Sequence, residues 1–209
     1  MKELIIAGAG GFGREAYYLA KRINAISPRW IIKGFINDIP DALDGIRIDA
    51  GIIGTIKDWE PSENEVFVIG ISSPAGKEKV AKILKSKGAE FVTLISPNAS
   101  IGEYVEIGEG CIISGRSSVG SCSKIGSFVH IAGSMIGQDS EIGDYSTTTG
   151  FTNIASAYLG KRVMVGSHAV VLNGIRVGDD AVIGTGSIVF RNVKAGTKVF
   201  GYPAKRMDF

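Results

Sequence analysis

Histidine, cysteine and proline are all scarce in this chain of 209 residues: two, two and six, respectively. Cys111 and Cys122 show neither the spacing of a metal site nor that of a disulfide framework. They read as small interior residues of a protein kept in a reducing, cytoplasmic compartment. No sign of charge dominates, because 23 Lys and Arg face 21 Asp and Glu for a net charge of +2. A near-neutral total leaves no electrostatic footprint for nucleic acid or an anionic membrane. No apolar run approaches 18 residues, so no membrane insertion is expected. The apolar start of the chain is broken by glycines and then by Arg14 and Glu15. It reads as strand and turn, not as a signal peptide. Hydrophobic residues make up 44% of the chain, which excludes a mainly disordered polymer.

Glycine is what is abundant, with 29 residues, about twice the usual share. From Ile95 onward a branched residue recurs at 95, 101, 107, 113, 119, 125 and 131, then at 136, 142, 148, 154, 159, 165, 171, 177, 183 and 189. The step is six except at 131 to 136 and 154 to 159, where it is five. Gly follows many of these positions, as at 102, 108, 120 and 126. A period of six fits neither a helix nor a plain strand. It fits a short strand plus a turn, three of which close a triangular coil of about 18 residues. Stacked coils bury the aliphatic column that one coil alone cannot, and the small residue after each aliphatic is expected to permit the turn. Residues 95–209 therefore read as an all-β parallel β-helix of five to six coils with a C-terminal tail.

Residues 1–94 read as a small Rossmann-like α/β domain. Leu4 to Ala7 is a strand, Arg14 to Asn24 a helix, and 30–36 a second strand ending in Asn37 and Asp38. Residues 66–72 form a third strand. Pro74 to Lys87 suits a helix capped by Ser72 or Ser73, and Phe91 to Ile95 a fourth strand. Gly8-x-Gly10-x-x-Gly13 lies between the first strand and the first helix, where a backbone can approach a phosphate. Gly8, Gly10, Gly13, Asn37, Asp38 and Ser73 are thus candidate contacts to a nucleotide. The domain holds only one mononucleotide-binding half, which favours one nucleotide diphosphate group over a dinucleotide. A packing turn without a ligand is the other reading.

The combination resembles the bacterial hexapeptide-repeat sugar O- and N-acyltransferases, including sialic acid O-acetyltransferases and nucleotide-amino-sugar N-acetyltransferases. The resemblance rests on Ile6 to Gly13, Gly34 to Asp38, Ile95 to Gly102 and the terminal Gly201-Tyr202-Pro203-Ala204-Lys205. It implies a left-handed β-helix, a homotrimer, acetyl-CoA as acyl donor between neighbouring β-helices, and a nucleotide sugar held by the N-terminal domain. It also implies a role in surface glycan synthesis. The family places a His base in a His-Asp-x-x-Ile-Gly-Asp-aromatic stretch.

Here that stretch reads Gln138-Asp139-Ser140-Glu141-Ile142-Gly143-Asp144-Tyr145, so Gln138 occupies the base position. A carboxamide orients by hydrogen bonds but takes no proton at physiological pH. By the same resemblance, Thr147 replaces a second His on the acyl-CoA side, Ala155 stands at the oxyanion-side Gly, and Ser167 and Thr185 fall on backbone contacts to the pantetheine arm. The remaining proton acceptors are Asp139, which also reads as a turn residue, and His130 and His168, either of which also reads as structural. Three functions follow. One is an acetyl transfer to a sugar amine, whose neutral form needs less base help than a hydroxyl. The others are a binding or regulatory homologue without chemistry, and a structural trimer.

Overall fold

The computed structural model describes residues 1–207. They divide into two units, Met1–Pro97 and the residues from Asn98 onward.

The first unit is a five-stranded parallel sheet flanked by two helices. Its elements are β1 (Lys2–Ala7), α1 (Gly11–Ile26), β2 (Trp30–Ile36), β3 (Ile52–Gly54), β4 (Glu65–Ile69), α2 (Pro74–Ser86) and β5 (Glu90–Phe91). The strand order is β3-β2-β1-β4-β5. Central strands of a covered parallel sheet are apolar throughout, and here Leu4 to Ala7 and the whole of β4 are buried. Helix α1 turns Gly13, Ala16, Tyr17, Ala20 and Ile23 inward, the spacing of one helical face. It begins three residues before the expected Arg14, because Gly10 serves as its N-cap and Gly11 as its first residue. The short β3 carries too few apolar residues to signal itself. The expected strand from Phe91 to Ile95 is split in two, with only Glu90–Phe91 joining this sheet.

A buried carboxylate organises the edge opposite the glycine loop. Glu65 accepts from Lys33 Nζ at 2.7 Å, Trp59 Nε1 at 3.1 Å and the Ser62 amide at 3.0 Å. Burial alone pushes its carboxyl up, but these three donors outweigh that and hold it below the usual range. Lys33 is raised by its bonds to Glu3 and Glu65. A carboxylate depressed by folding adds stability above its unfolded pKa and loses it as pH falls through the folded value. Glu65→Gln should cost about 2 kcal/mol at neutral pH. The difference from wild type should shrink as pH drops below the ordinary value of 4.5. Urea unfolding followed by tryptophan fluorescence measures this, and a difference independent of pH would contradict it.

The second unit is a parallel β-helix. One face stacks Ser100–Ile101, Ser118–Val119, Met135–Ile136, Asn153–Ile154, Val170–Val171 and Ile188–Val189. The second stacks five strands from Glu106–Ile107 to Arg176–Val177. The third runs upward from Ile112–Ser114, through Lys198–Phe200, to Lys205–Arg206, which pairs antiparallel. Register keeps the aliphatic column aligned: Ile101 pairs Val119, and Val119 pairs Ile136. The five-residue steps shorten a coil by one residue without slipping the column. Thr148 stands in that column and is fully buried, yet its hydroxyl donates to Ser134 Oγ at 2.9 Å. Satisfying the hydroxyl removes most of the cost of burying it.

The glycines act differently from the expected role. The residues with positive φ are not those after the aliphatics but lie two or three places past them, as at Cys122 (60°), Phe128 (58°), Asp139 (55°) and His168 (60°). The glycines instead allow close stacking. A Cβ on Gly108 would lie 2.7 Å from Ser127 N, and one on Gly166 would lie 2.6 Å from Thr185 N. The left-handed corner residues are held by ladder bonds, such as Asp139 N to Ser121 O at 3.1 Å and His168 N to Gly150 O at 3.0 Å. These bonds offset the roughly 1–2 kcal/mol that a side chain pays in that conformation.

Candidate functional site

In the N-terminal unit the strand order reverses between β1 and β4. Ligands of open α/β sheets bind in the crevice outside the strand ends at such a point. Here the crevice is made by the loop from Gly8 to Gly10 and the loop from Gly70 to Ser73. It is tightly built. A Cβ on Gly13 would overlap the Gly8 carbonyl, one on Gly70 would overlap Gly13, and one on Gly8, at φ +102°, would sit 2.8 Å from Ile71 Cγ1. A Cβ on Gly10, by contrast, would meet nothing within 4 Å. Gly8 and Gly13 therefore serve packing, while Gly10 lines open space. The N-termini of both helices begin at these loops. That of α1 has no side-chain cap, and its positive dipole end faces the loop. Ser73 is spent capping α2, its Oγ accepting from Gly76 N at 3.3 Å.

Asn37 and Asp38 stand beside the loop but are engaged by the chain itself. Asn37 Oδ1 accepts from Ala9 N at 3.1 Å, and its Nδ2 donates to Ile39 O at 2.7 Å. Asp38 Oδ1 accepts from the Ile56 and Lys57 amides at 2.8 and 3.3 Å. Asn37 thus shapes the glycine loop rather than presenting open polar atoms. Gly70, half of the crevice, went unremarked in the sequence; its one signal is a glycine closing an apolar strand.

In the β-helix the candidate residues separate. Gln138, Asp139 and Ala155 lie on the edge after the first face. Ser167, His168 and Thr185 lie on the edge after the third. Gln138 and Asp139 are exposed. Asp139 is the corner residue of its coil, which fits the turn reading. The Ala155 amide, expected on the oxyanion side, donates to Val171 O at 2.9 Å. That ladder bond engages the N–H within the stack. Thr147 lies on a strand, its side chain is fully buried, and its amide donates to Val163 O at 2.8 Å. Ser167 Oγ donates to Thr149 Oγ1 at 3.1 Å, and the Gly186 amide donates to Ser167 O at 2.9 Å.

The two histidines have different fates. His130 lies fully buried in the strand His130–Ala132, where the coil shortens. His168 is exposed and stacks on Phe151, ring centroids 5.0 Å apart and 19° from parallel. Beside it Arg116, Gly133, Met135, Gly150 and Phe151 line an apolar pocket of about 450 Å³. One chain therefore brings His168, Ser167 and Thr185 together, and keeps Gln138 and Asp139 on another edge.

Comparison with known proteins agrees with this build. The PglD N-terminal domain family matches residues 3–84, and the hexapeptide repeat of succinyl-transferase matches residues 158–191. A 2,3,4,5-tetrahydropyridine-2,6-dicarboxylate N-acetyltransferase of Staphylococcus aureus is 51% identical over 43 residues, which are 21% of this chain and 18% of that protein. WeeI from Acinetobacter baumannii superposes with a TM-score of 0.73 at 26% identity, over 99% of this chain and all of that one. PerB from Caulobacter crescentus, solved with CoA and GDP-perosamine, gives 0.87 at 20% identity over 100% and 98%. The acetyltransferase domain of PglB from Neisseria gonorrhoeae, solved with acetyl coenzyme A, gives 0.86 at 20% over 99% of each chain. These last two establish the fold. The chain thus joins a PglD-type N-terminal domain to a hexapeptide-repeat β-helix, in the fold that PerB and the PglB acetyltransferase domain share.

Proposed function

We propose that the protein transfers an acetyl group from acetyl-CoA to an amino group of a nucleotide-linked sugar, in surface glycan synthesis, as a cytoplasmic homotrimer. The observation that carries this reading is the pairing of an anion-ready crevice at a sheet switch point with a hexapeptide β-helix. The similar proteins solved with CoA, acetyl coenzyme A and GDP-perosamine support the choice of substrates. The separation of Gln138 and His168 onto two edges supports the oligomer, since a second copy is what would lay one edge against another. In the transfer, the amine nitrogen bonds to the acyl carbon, the C–S bond breaks and the amine proton passes to the departing thiolate. Gln138 can orient the amine but cannot carry that proton; His168, exposed on its corner, can.

The second reading is a homologue that binds nucleotide sugar and CoA without turnover. Gln138 at the base position favours it. Calorimetry with acetyl-CoA, counted per chain, tests the proposal first. About one site per chain in the micromolar range is expected, followed by thiol release when amino-sugar nucleotides are added. Binding without thiol release selects the second reading, and no binding up to millimolar concentration removes both.

A further inference from the structure

We infer that the donor site reaches beyond acetyl and takes an apolar acyl chain several carbons long. The acyl class named here rests on the proposed transfer. Its basis is a pocket that an acetyl group would leave nearly empty. Gly133, Met135, Gly150 and Phe151 line it, with Arg116, and it holds about 450 Å³. An acetyl methyl takes roughly the room of one water, about 30 Å³. The lining comes from three successive coils, a span of about 10 Å and the reach of about six chain carbons. Met135 and Phe151 are 59% and 77% exposed, large apolar groups that gain free energy only when something covers them. A Cβ on Gly150 would meet nothing within 4 Å, and one on Gly133 only Gly150 Cα at 3.9 Å. At Gly166, by contrast, it would lie 2.6 Å from Thr185 N. Gly150 has no positive φ to account for it either. It leaves room that neither the turn nor the stacking of coils requires.

The position of the pocket ties it to the acyl group. Gly133, Gly150, Ser167 and Thr185 each stand two residues past the column residues Ile131, Thr148, Val165 and Ile183. Ladder bonds join their coils in turn: Phe151 N to Gly133 O at 2.9 Å, His168 N to Gly150 O at 3.0 Å and Gly186 N to Ser167 O at 2.9 Å. The four residues therefore form one edge, one per coil. A donor laid along Thr185 and Ser167 runs on over Gly150 and Gly133. Phe151 belongs to the pocket and also stacks on His168, with ring centroids 5.0 Å apart. A thioester within reach of His168 thus carries its acyl group against Phe151. Four of the five lining residues are uncharged, which suits a hydrocarbon chain, and the stem of Arg116 can cover such a chain while its head stays in water.

Calorimetry on the whole chain, without an acceptor, tests the inference with acetyl-, butyryl-, hexanoyl- and succinyl-CoA. Each buried methylene is worth about fourfold in affinity, so butyryl-CoA should bind about 15-fold tighter than acetyl-CoA. Hexanoyl-CoA should bind tighter still. Gly150→Val fills the pocket and should bring the butyryl-to-acetyl ratio down to about one. Met135→Ser, at an exposed side chain, should lower that ratio several-fold. Circular dichroism checks that each variant folds, and Met135→Ser decides the matter where Gly150→Val does not. Equal affinities for acetyl-CoA and butyryl-CoA would overturn the inference and leave the transfer reading standing. No binding of any acyl-CoA up to millimolar concentration would remove both. Tighter binding of succinyl-CoA than of butyryl-CoA would overturn it in favour of a carboxylate held by Arg116. If Gly150→Val changes the mass of the assembly in sedimentation and leaves the ratio as it was, a second copy fills the pocket and the inference fails.

Discussion

Replacing Gly13 by Ala is expected to unfold the N-terminal unit, whereas Gly10→Ala is expected to leave its stability unchanged. Both glycines belong to the same motif, and sequence alone treats them alike. Their surroundings differ completely. At Gly13 the added methyl would overlap the Gly8 carbonyl, a backbone atom that cannot rotate away, and Gly70 presses from the other side. Overpacking against side chains costs about 1–3 kcal/mol, and rigid backbone makes the upper end or beyond the expected range. At Gly10 the methyl enters open space, so a change within about 0.5 kcal/mol is expected. The measurement is selective, because both tryptophans, Trp30 and Trp59, lie in the first unit. Their fluorescence reports that unit alone. An unchanged urea midpoint for Gly13→Ala would contradict the packing role. Gly10→Ala carries the functional half: the methyl stands where a phosphate would approach α1, so nucleotide-sugar affinity should fall about tenfold or more with the fold intact. Unchanged affinity would remove Gly10 from the site.

Gln138→His is expected to raise the rate of acetyl transfer by about 100- to 10,000-fold if the protein lacks only its base. The side chain is exposed at its corner, so imidazole fits without repacking. The gain should appear in kcat and follow a rising pH limb near the ordinary histidine value of about 6.5. His168→Asn separates the two readings. If His168 already carries the proton, that variant loses activity and Gln138→His restores part of it. If wild type is inactive and Gln138→His stays inactive, the loss extends beyond the base, and the binding homologue is the better description. A wild type faster than Gln138→His would mean that the carboxamide itself orients the amine.

Much of the architecture was legible in the residues. A six-residue period is a direct image of a triangular coil, because each unit repeats the same strand and turn. Spacing placed the aliphatic column from Ile101 to Val189 and absorbed the two short steps. Pro74 and Ser73 marked the start of α2 where the structure has it. The glycines after β1 announced a tight strand-to-helix turn. What failed was local. The reading gave the turn to the Gly after each aliphatic, but the turn residues include Phe128, Tyr145 and Arg162, side chains with no intrinsic preference for positive φ. Ladder bonds between coils impose that conformation, and those bonds exist only once the stack forms.

The column of buried aliphatics, the glycine motif and the glutamine at position 138 were legible in the residues alone. Each is a property of one segment and its period. Which glycines pack and which line space came from folding, because that depends on Gly70 and Ile71 approaching from the end of β4. Folding also commits the Ala155 amide to a ladder bond and buries the Thr147 side chain inside the stack. And it decided that Gln138 and His168 occupy different edges of one prism, because position around a coil, not distance along the chain, sets which residues can meet.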